Sequence, residues 1–240
     1  MELNVKLQPI DVDPLSDPTR YRHLVGSLVY LAVTRPDISY PIHILIQFVS
    51  APTTVHYSHL LRVLRYLRGT ITRRLFFPHS SSLQLQCYSD ATWVSDPSDR
   101  RSLSAYCVFL GGSLIAWKTK KQTAVSRSSV EAELRAMVLL TAEVTWLRWL
   151  LADFRSLLPY PLWFCLTVQV LLVLHVIQSI MNLPSILVLM LSIHVLGCRL
   201  RLLRFSMCLQ IYSWRIFFTK AQTKAQHDLL LSKLSVVDPP

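Results

Sequence analysis

The fold is decided by residues 83–154, which open with the stretch LQLQCYSDATW at 83–93. Apolar and polar side chains alternate along it, a pattern typical of a strand with one buried face. The stretches SLSAYCVFLGG (102–112) and SLIAWKTKKQTAV (113–125) favour two further strands. A long amphipathic helix is indicated by 128–154. Together these patterns predict an α/β unit.

Two carboxylates near the start of that helix have different surroundings. Glu131 follows Ser128 at capping-box spacing and is expected to cap the helix beside Arg135. Glu133 instead shares a helical row with apolar residues, namely Met137, Leu140, Val144 and Leu147. A carboxylate on a core-facing row is costly unless something compensates it, as a metal ion would. The alternative is a glutamate at the rim of the core that reaches water.

Asp90 ends the first alternating run, just before a polar turn that contains Pro97. By pattern alone it is either a turn residue or a metal ligand. Asp96 and Asp99 lie within the turn, and we assign them turn chemistry only.

The segment 1–82 is basic and reads as helical. One helix is predicted from near Pro18 to before Pro36, and a second from a cap at Thr53 or Thr54 to Gly69. The second helix carries a basic stripe, made of Arg62, Arg65 and Arg68. The stripe is either a solvated face or a surface for phosphates. With a formal net charge of +11, the chain favours an anionic partner.

The segment 155–216 differs in composition from the rest. No Lys, Arg, Asp or Glu occurs from Leu157 to Cys198. By length alone this run would allow one or two membrane helices. The five cysteines form no CxxC pair, which argues against a disulfide scaffold or a zinc site.

Several stretches in their order and spacing resemble the Pol polyprotein of copia-type LTR retrotransposons. They are YRHLVGSLVYLAVTRPDISY, VLRYLRGT, YSDATW, DRRSLSAYCVFLGGSLIAWKTKKQTAVSRSSVEAELRA and WLRWLLADF. The resemblance runs from about residue 8 to 154, and 217–240 resembles the tail of the same polyprotein. It implies a reverse-transcriptase remnant in 1–82 and the first part of a ribonuclease H-like domain in 83–154.

The resemblance implies hydrolysis of the RNA strand of an RNA–DNA hybrid by two Mg²⁺ ions held by four acids. Asp90 matches the first acid and Glu133 the second, although Thr92 replaces an Asp and Leu134 a Tyr of the family's motifs. The third and fourth acids are absent, and Ile216 occupies the fourth position. No DD pair occurs, so polymerase activity is not carried over. The resemblance further implies that the ancestral protein was located in a cytoplasmic particle or in the nucleus. It implies no small-molecule substrate.

A frameshift explains the apolar segment and the missing acids. If each codon takes the last base of one residue and two bases of the next, Met181 and Asn182 give GAA, which encodes Glu. The same regrouping allows an Asp across Leu166 and Thr167 and another across Arg215 and Ile216. Because Leu, Val, Ile, Met and Phe codons all have T in the second position, a shifted frame can write an apolar run without selection for one.

We therefore predict an α/β fold with an incomplete ribonuclease H-like mixed sheet and flanking helices. A helical reverse-transcriptase remnant precedes it, and an apolar segment, helical or non-native, follows. Function is predicted to be an ancestral hybrid ribonuclease, now inactive. The alternatives are a weak nucleic-acid binder and a membrane protein with spans in 157–198. Binding would use basic residues, which are Arg62, Arg65, Arg68, Lys118, Lys120, Lys121 and Arg127.

Overall fold

The computed structural model describes residues 7, 13–79, 81, 83–95, 99–154, 162–165, 203–206, 218, 220, 222–234 and 236–237. These residues divide into two compact units. One unit combines residues 1–77 with 216–240, and the other comprises 78–215. We call them the helical unit and the sheet unit.

The helical unit begins with three α-helices. They are α1 (Pro18–Leu31), α2 (Ser39–Ile46), which follows a short 3-10 turn at Pro36–Ile38, and α3 (Thr54–Arg68). Thr53 caps α3, because its hydroxyl accepts the N–H of His56 while the His56 ring accepts the N–H of Thr53. Of the two predicted caps, Thr53 and Thr54, the structure has Thr53.

The core of this unit is an apolar cluster contributed by all three helices. Its buried members are Tyr21, Val25, Leu28, Ile38, Ile42, Leu45, Leu60 and Val63. The Tyr21 hydroxyl donates to the Leu45 carbonyl at 2.8 Å, which ties α1 to α2. Burial raises the pKa of Tyr21, so the phenol keeps its proton for this bond.

The tail of the chain completes the helical unit. It forms α5 (Lys224–Lys233) and β7 (Val236–Val237), and β7 pairs antiparallel with β1 (Arg74–Leu75). Leu230, Leu231 and Leu234 are buried. These three leucines thus pack in the interior of the unit, whereas Leu229 is exposed.

The described residues of the sheet unit form five strands and one long flanking helix. The strands are β2 (Leu85–Thr92), β3 (Leu103–Leu110), β4 (Ser113–Lys121), β5 (Leu162–Cys165) and β6 (Leu203–Ser206), and the helix is α4 (Ser129–Asp153). Their spatial order is β4-β3-β2-β5-β6. The first three strands pair antiparallel, whereas β5 pairs parallel with both β2 and β6. The predicted α/β class with a mixed sheet is confirmed.

A two-residue turn joins β3 to β4. Leu110 pairs with Ser113 across it, and Gly111 has a φ of 60°. That left-handed conformation suits glycine, because a Cβ would clash with the neighbouring backbone. This hairpin fixes the register of β4 against β3, and β3 is the antiparallel neighbour of β2.

The described parts of the apolar segment differ from the predicted helical or non-native structure. At 162–165 and 203–206 the chain is strand, not helix, and the sheet has two strands more than the three predicted. A central parallel strand needs a continuous apolar run, which this segment supplies. No helix of the described residues is long and apolar enough to cross a membrane. Most of the predicted spans in 157–198 lie outside the described residues.

Candidate active site

Asp90 lies near the end of β2, a strand that has neighbours on both sides in the sheet. Its cross-strand partner is Ala105, and only 7% of its surface is exposed. The strand ends two residues later at Thr92, and the Trp93 indole then donates to the Ser126 carbonyl at 2.9 Å. Asp90 is therefore a buried strand residue at the edge of a turn, rather than a solvated turn acid.

Glu133 lies in the second turn of α4 and is 5% exposed. The apolar row predicted for it is buried as well, and comprises Met137, Leu140, Val144 and Leu147. These residues pack with Leu85 and Cys87 of β2 and with Tyr106 and Val108 of β3. Asp90 and Glu133 thus lie on two elements, β2 and α4, that pack against each other.

Glu131 behaves as the ordinary capping carboxylate that the sequence predicts. Ser128 caps α4 by accepting the Glu131 N–H at 3.2 Å. The Glu131 carboxylate accepts the Arg127 N–H at 2.8 Å and the Arg135 guanidinium at 2.8 Å. These bonds, that of Arg127 first, lower the pKa of Glu131. In a capping box the Glu131 carboxylate would accept the N–H of Ser128. Here it accepts the N–H of Arg127, the residue before the cap, instead.

A buried hydrogen-bond network fixes the start of α4 against the sheet. The Gln122 amide donates to the Ser104 hydroxyl at 2.8 Å and to the Ala132 carbonyl at 2.9 Å. The Ser126 hydroxyl donates to the Gln122 side-chain oxygen at 2.6 Å. Because Ala132 precedes Glu133, the network positions this carboxylate. Sequence reasoning missed these polar residues, since nothing in their local pattern distinguishes them from turn residues.

The predicted basic residues are divided between the two units. Arg62, Arg65 and Arg68 are exposed on α3, in the helical unit. Lys118 and Lys120 are exposed on β4, an edge strand of the sheet unit. Charged residues on an edge strand also discourage unwanted strand pairing.

Two further predicted basic residues have partners near the turns of the sheet unit. The Lys121 ammonium lies 2.9 Å from the Asp99 carboxylate, so its charge is matched locally. Arg127 is exposed, and its backbone supports the α4 cap.

The residues present do not fit a pair of Mg²⁺ ions. Among the described residues no group of three or more His, Cys, Asp or Glu side chains could hold a metal ion. The sequence itself has no Asp or Glu from Arg155 to His227, so neither β5 nor β6 contributes a carboxylate. Thr92, at the position where the resemblance leads one to expect an acid, is partly exposed, but its hydroxyl oxygen is buried and has no hydrogen-bond partner among the described residues. The candidate site therefore offers two carboxylates.

Curated relatives of the chain include retrotransposon polyproteins and a secreted effector protein. The retrovirus-related Pol polyprotein from transposon RE1 of Arabidopsis thaliana is 46% identical over 147 residues, which cover 61% of this chain and 10% of the polyprotein. That from transposon TNT 1-94 of Nicotiana tabacum is 34% identical, over 62% of this chain and 11% of the polyprotein. The secreted RxLR effector protein 161 of Plasmopara viticola is 43% identical, over 53% of this chain and 90% of the effector.

The chain spans about a tenth of the length of these polyproteins. No family profile and no solved structure matches it. The chain belongs to the Pol polyproteins of copia-type retrotransposons.

Proposed function

We propose that the chain is a Pol segment that derives from a hybrid-directed ribonuclease and no longer hydrolyses RNA. The observation that carries the proposal is the pair of buried carboxylates, Asp90 and Glu133, on packed elements with no third acid described beside them. The pair supports the ancestry, and the missing acids support the loss of activity.

Charge balance explains why two acids are too few. A two-metal site holds its ions about 3.5–4 Å apart, where two dications repel strongly. Asp90 and Glu133 supply two negative charges against four positive ones. Magnesium also favours oxygen ligands and gives up its water reluctantly, so a neutral side chain such as Thr92 is a poor replacement for a carboxylate. We expect the metal pair, and with it the reaction, to be lost.

The sheet supports the frameshift as the cause of this loss. Strand β5 lies parallel beside β2, with Cys165 paired to Tyr88. In a parallel pair, the residues that follow the two strand ends lie at the same edge of the sheet. The regrouped codons restore an Asp across Leu166 and Thr167, directly after the last residue of β5. The restored acid would follow β5 at the edge where Asp90 lies on β2.

The test compares this chain with a repaired chain in which 155–216 is replaced by the regrouped reading. Each is incubated with a labelled RNA–DNA hybrid in magnesium, and the RNA is resolved on a gel. We expect cleavage by the repaired chain only, and none by a repaired chain that carries Asp90→Asn. Repaired Asp99→Asn is the matched control and should cleave, since Asp99 pairs with Lys121 in a turn. Cleavage that survives Asp90→Asn would rule out the proposed site.

A second candidate function is salt-dependent binding of nucleic acid without cleavage. Exposed Lys118 and Lys120 on β4 favour it in the sheet unit. Phosphate contacts release counterions, so affinity for the hybrid should fall steeply as salt rises. In a double Lys118→Ala, Lys120→Ala variant, the negative slope of log affinity against log salt should become shallower by about two. An unchanged slope would exclude this surface.

A further inference from the structure

A cleft of about 570 Å³ opens in the helical unit. Its lining comes from α2 and α3, from the turn after α3, and from residues 220–228 of the tail. This volume falls within the range of small-ligand sites, roughly 300–1,000 Å³. Part of the lining is apolar or aromatic, with Ile38, Tyr40, Pro41 and Val63.

The lining also carries a cluster of cationic side chains. Five basic side chains line the cleft, namely Arg62, Arg65, Arg73, Lys220 and Lys224. Two carboxylates accompany them, Asp37 and Asp228. Asp37 is buried, and both of its oxygens accept from the Arg35 guanidinium, at 2.9 and 2.6 Å. The charge of Asp37 is thus neutralised by Arg35. Among the remaining charged side chains of the lining, the five basic ones outnumber the carboxylate of Asp228.

A partly buried network holds the two sides of the cleft in place. The Tyr66 hydroxyl of α3 donates to Asp37 at 2.7 Å and lies 3.2 Å from the Nε2 of His227 in α5. The two rings also meet edge to face, with centroids 5.6 Å apart. Arg35 reaches further and donates to the Thr70 carbonyl and hydroxyl, both at 2.9 Å. A cleft fixed in this way loses little conformational entropy when it binds a ligand.

We propose that this cleft binds the phosphate groups of a nucleotide, with the base against the apolar wall at Tyr40 and Pro41. Guanidinium and ammonium groups donate strong, charge-assisted hydrogen bonds to phosphate oxygens. The apolar wall gives a base a surface that inorganic phosphate would not use. The nucleotide is free or part of a single strand, since both present the same groups. The cleft lies in the helical unit and the ribonuclease remnant in the sheet unit, so either proposal can fail alone.

The helix α3 provides a matched pair of variants. Arg65 lines the cleft, whereas Arg68 is exposed one turn later on the same helix and is not part of the lining. The full chain is titrated with ATP by calorimetry, and with a dye-labelled, 5′-phosphorylated hexathymidylate by fluorescence anisotropy. Arg65→Ala should weaken binding about fivefold, the upper end for a single exposed ion pair, and Arg68→Ala by less than about twofold.

Controls separate the site from general charge attraction. Lys224→Ala, in the other part of the lining, should repeat the loss, and circular dichroism should show that both cleft variants are folded. Displacement of the hexathymidylate by ATP would assign the cleft to free nucleotides. Binding of the strand alone, still weakened by Arg65→Ala, would assign it to nucleotides within a strand. Equal losses for Arg65→Ala and Arg68→Ala, displacement by adenosine as effective as by ATP, or no binding of either probe would each overturn the proposal.

Discussion

The buried ion pair of the helical unit gives the sharpest prediction on stability. Arg35 is 7% exposed and Asp37 is 4% exposed, and two hydrogen bonds join them. Burial alone would lower the pKa of Arg35, but the bonds and the charge of Asp37 outweigh this effect and raise it. Tyr66 donates a third bond to Asp37. Its pKa is raised by burial first and then by Asp37, so it remains protonated at neutral pH.

Asp37→Asn removes the negative charge and keeps the shape of the side chain. The Arg35 cation then remains buried without a counter-charge, which typically costs about 3–5 kcal/mol. At about 1.36 kcal/mol per factor of ten, protection of α3 from hydrogen exchange should fall by roughly two to four powers of ten. Hydrogen exchange with mass spectrometry suits this unit, because all six tryptophans of the chain lie outside it.

Asp17→Asn is the matched control, since it also removes one carboxylate from the helical unit. Asp17 caps α1 by accepting the Arg20 N–H at 3.0 Å, and Asn caps helices about equally well. In this variant the protection of α3 from hydrogen exchange should change by less than about threefold, because no buried charge is left unpaired. If Asp37→Asn and Asp17→Asn reduce protection equally, the buried pair does not stabilise this unit as argued.

Three further outcomes follow from the packing and the pKa shifts. Leu140→Ala removes a core contact of α4 and should lower the free energy of unfolding of the sheet unit, followed by tryptophan fluorescence in urea, by about 2–5 kcal/mol. Leu83→Ala, at a side chain of the same unit that is 46% exposed, should change this free energy by less than about 0.5 kcal/mol, and a similar loss there would argue against the α4 core. Burial raises the pKa of Cys87 to about 12, so its peptide should resist iodoacetamide at pH 8 until urea is added, and rapid labelling of folded chain would contradict its burial. Burial lowers the pKa of His227, so the neutral imidazole stabilises the packing of α5. This contribution to stability is present above the unfolded pKa of about 6.5 and is lost as the pH falls. Hydrogen exchange of α5, corrected for its intrinsic rate, should therefore rise between pH 7 and 5, and this rise should be absent when His227 is replaced by Asn.

Features that depend on nearby residues were predictable from the sequence. The caps at Thr53 and Ser128 need only side chains within three residues. The burial of Glu133 follows from one helical row, since each member repeats after three or four residues. The alternation around Asp90 likewise fixes a strand without knowledge of its partners.

Features that depend on distant pairing were not predictable. The stretch LWFC at 162–165 lies in an apolar run without a period, so nothing local marks it as the strand beside β2. Tyr66 and His227 are 161 residues apart, and their contact depends on the tail folding into the helical unit. The Gln122 network has the same cause, because its partners lie on another strand and at the start of a helix. Local periodicity carries no information on which elements meet.

The central claim is that half of an acidic cage cannot hold the two metal ions of a hybrid ribonuclease. The most direct measurement is a single-turnover assay of this chain, in excess over a labelled RNA–DNA hybrid and in magnesium, beside its Asp90→Asn variant. We predict that the RNA stays intact with both proteins, apart from the same background of cleavage. RNA cleavage by the unaltered chain that disappears in Asp90→Asn would contradict the claim.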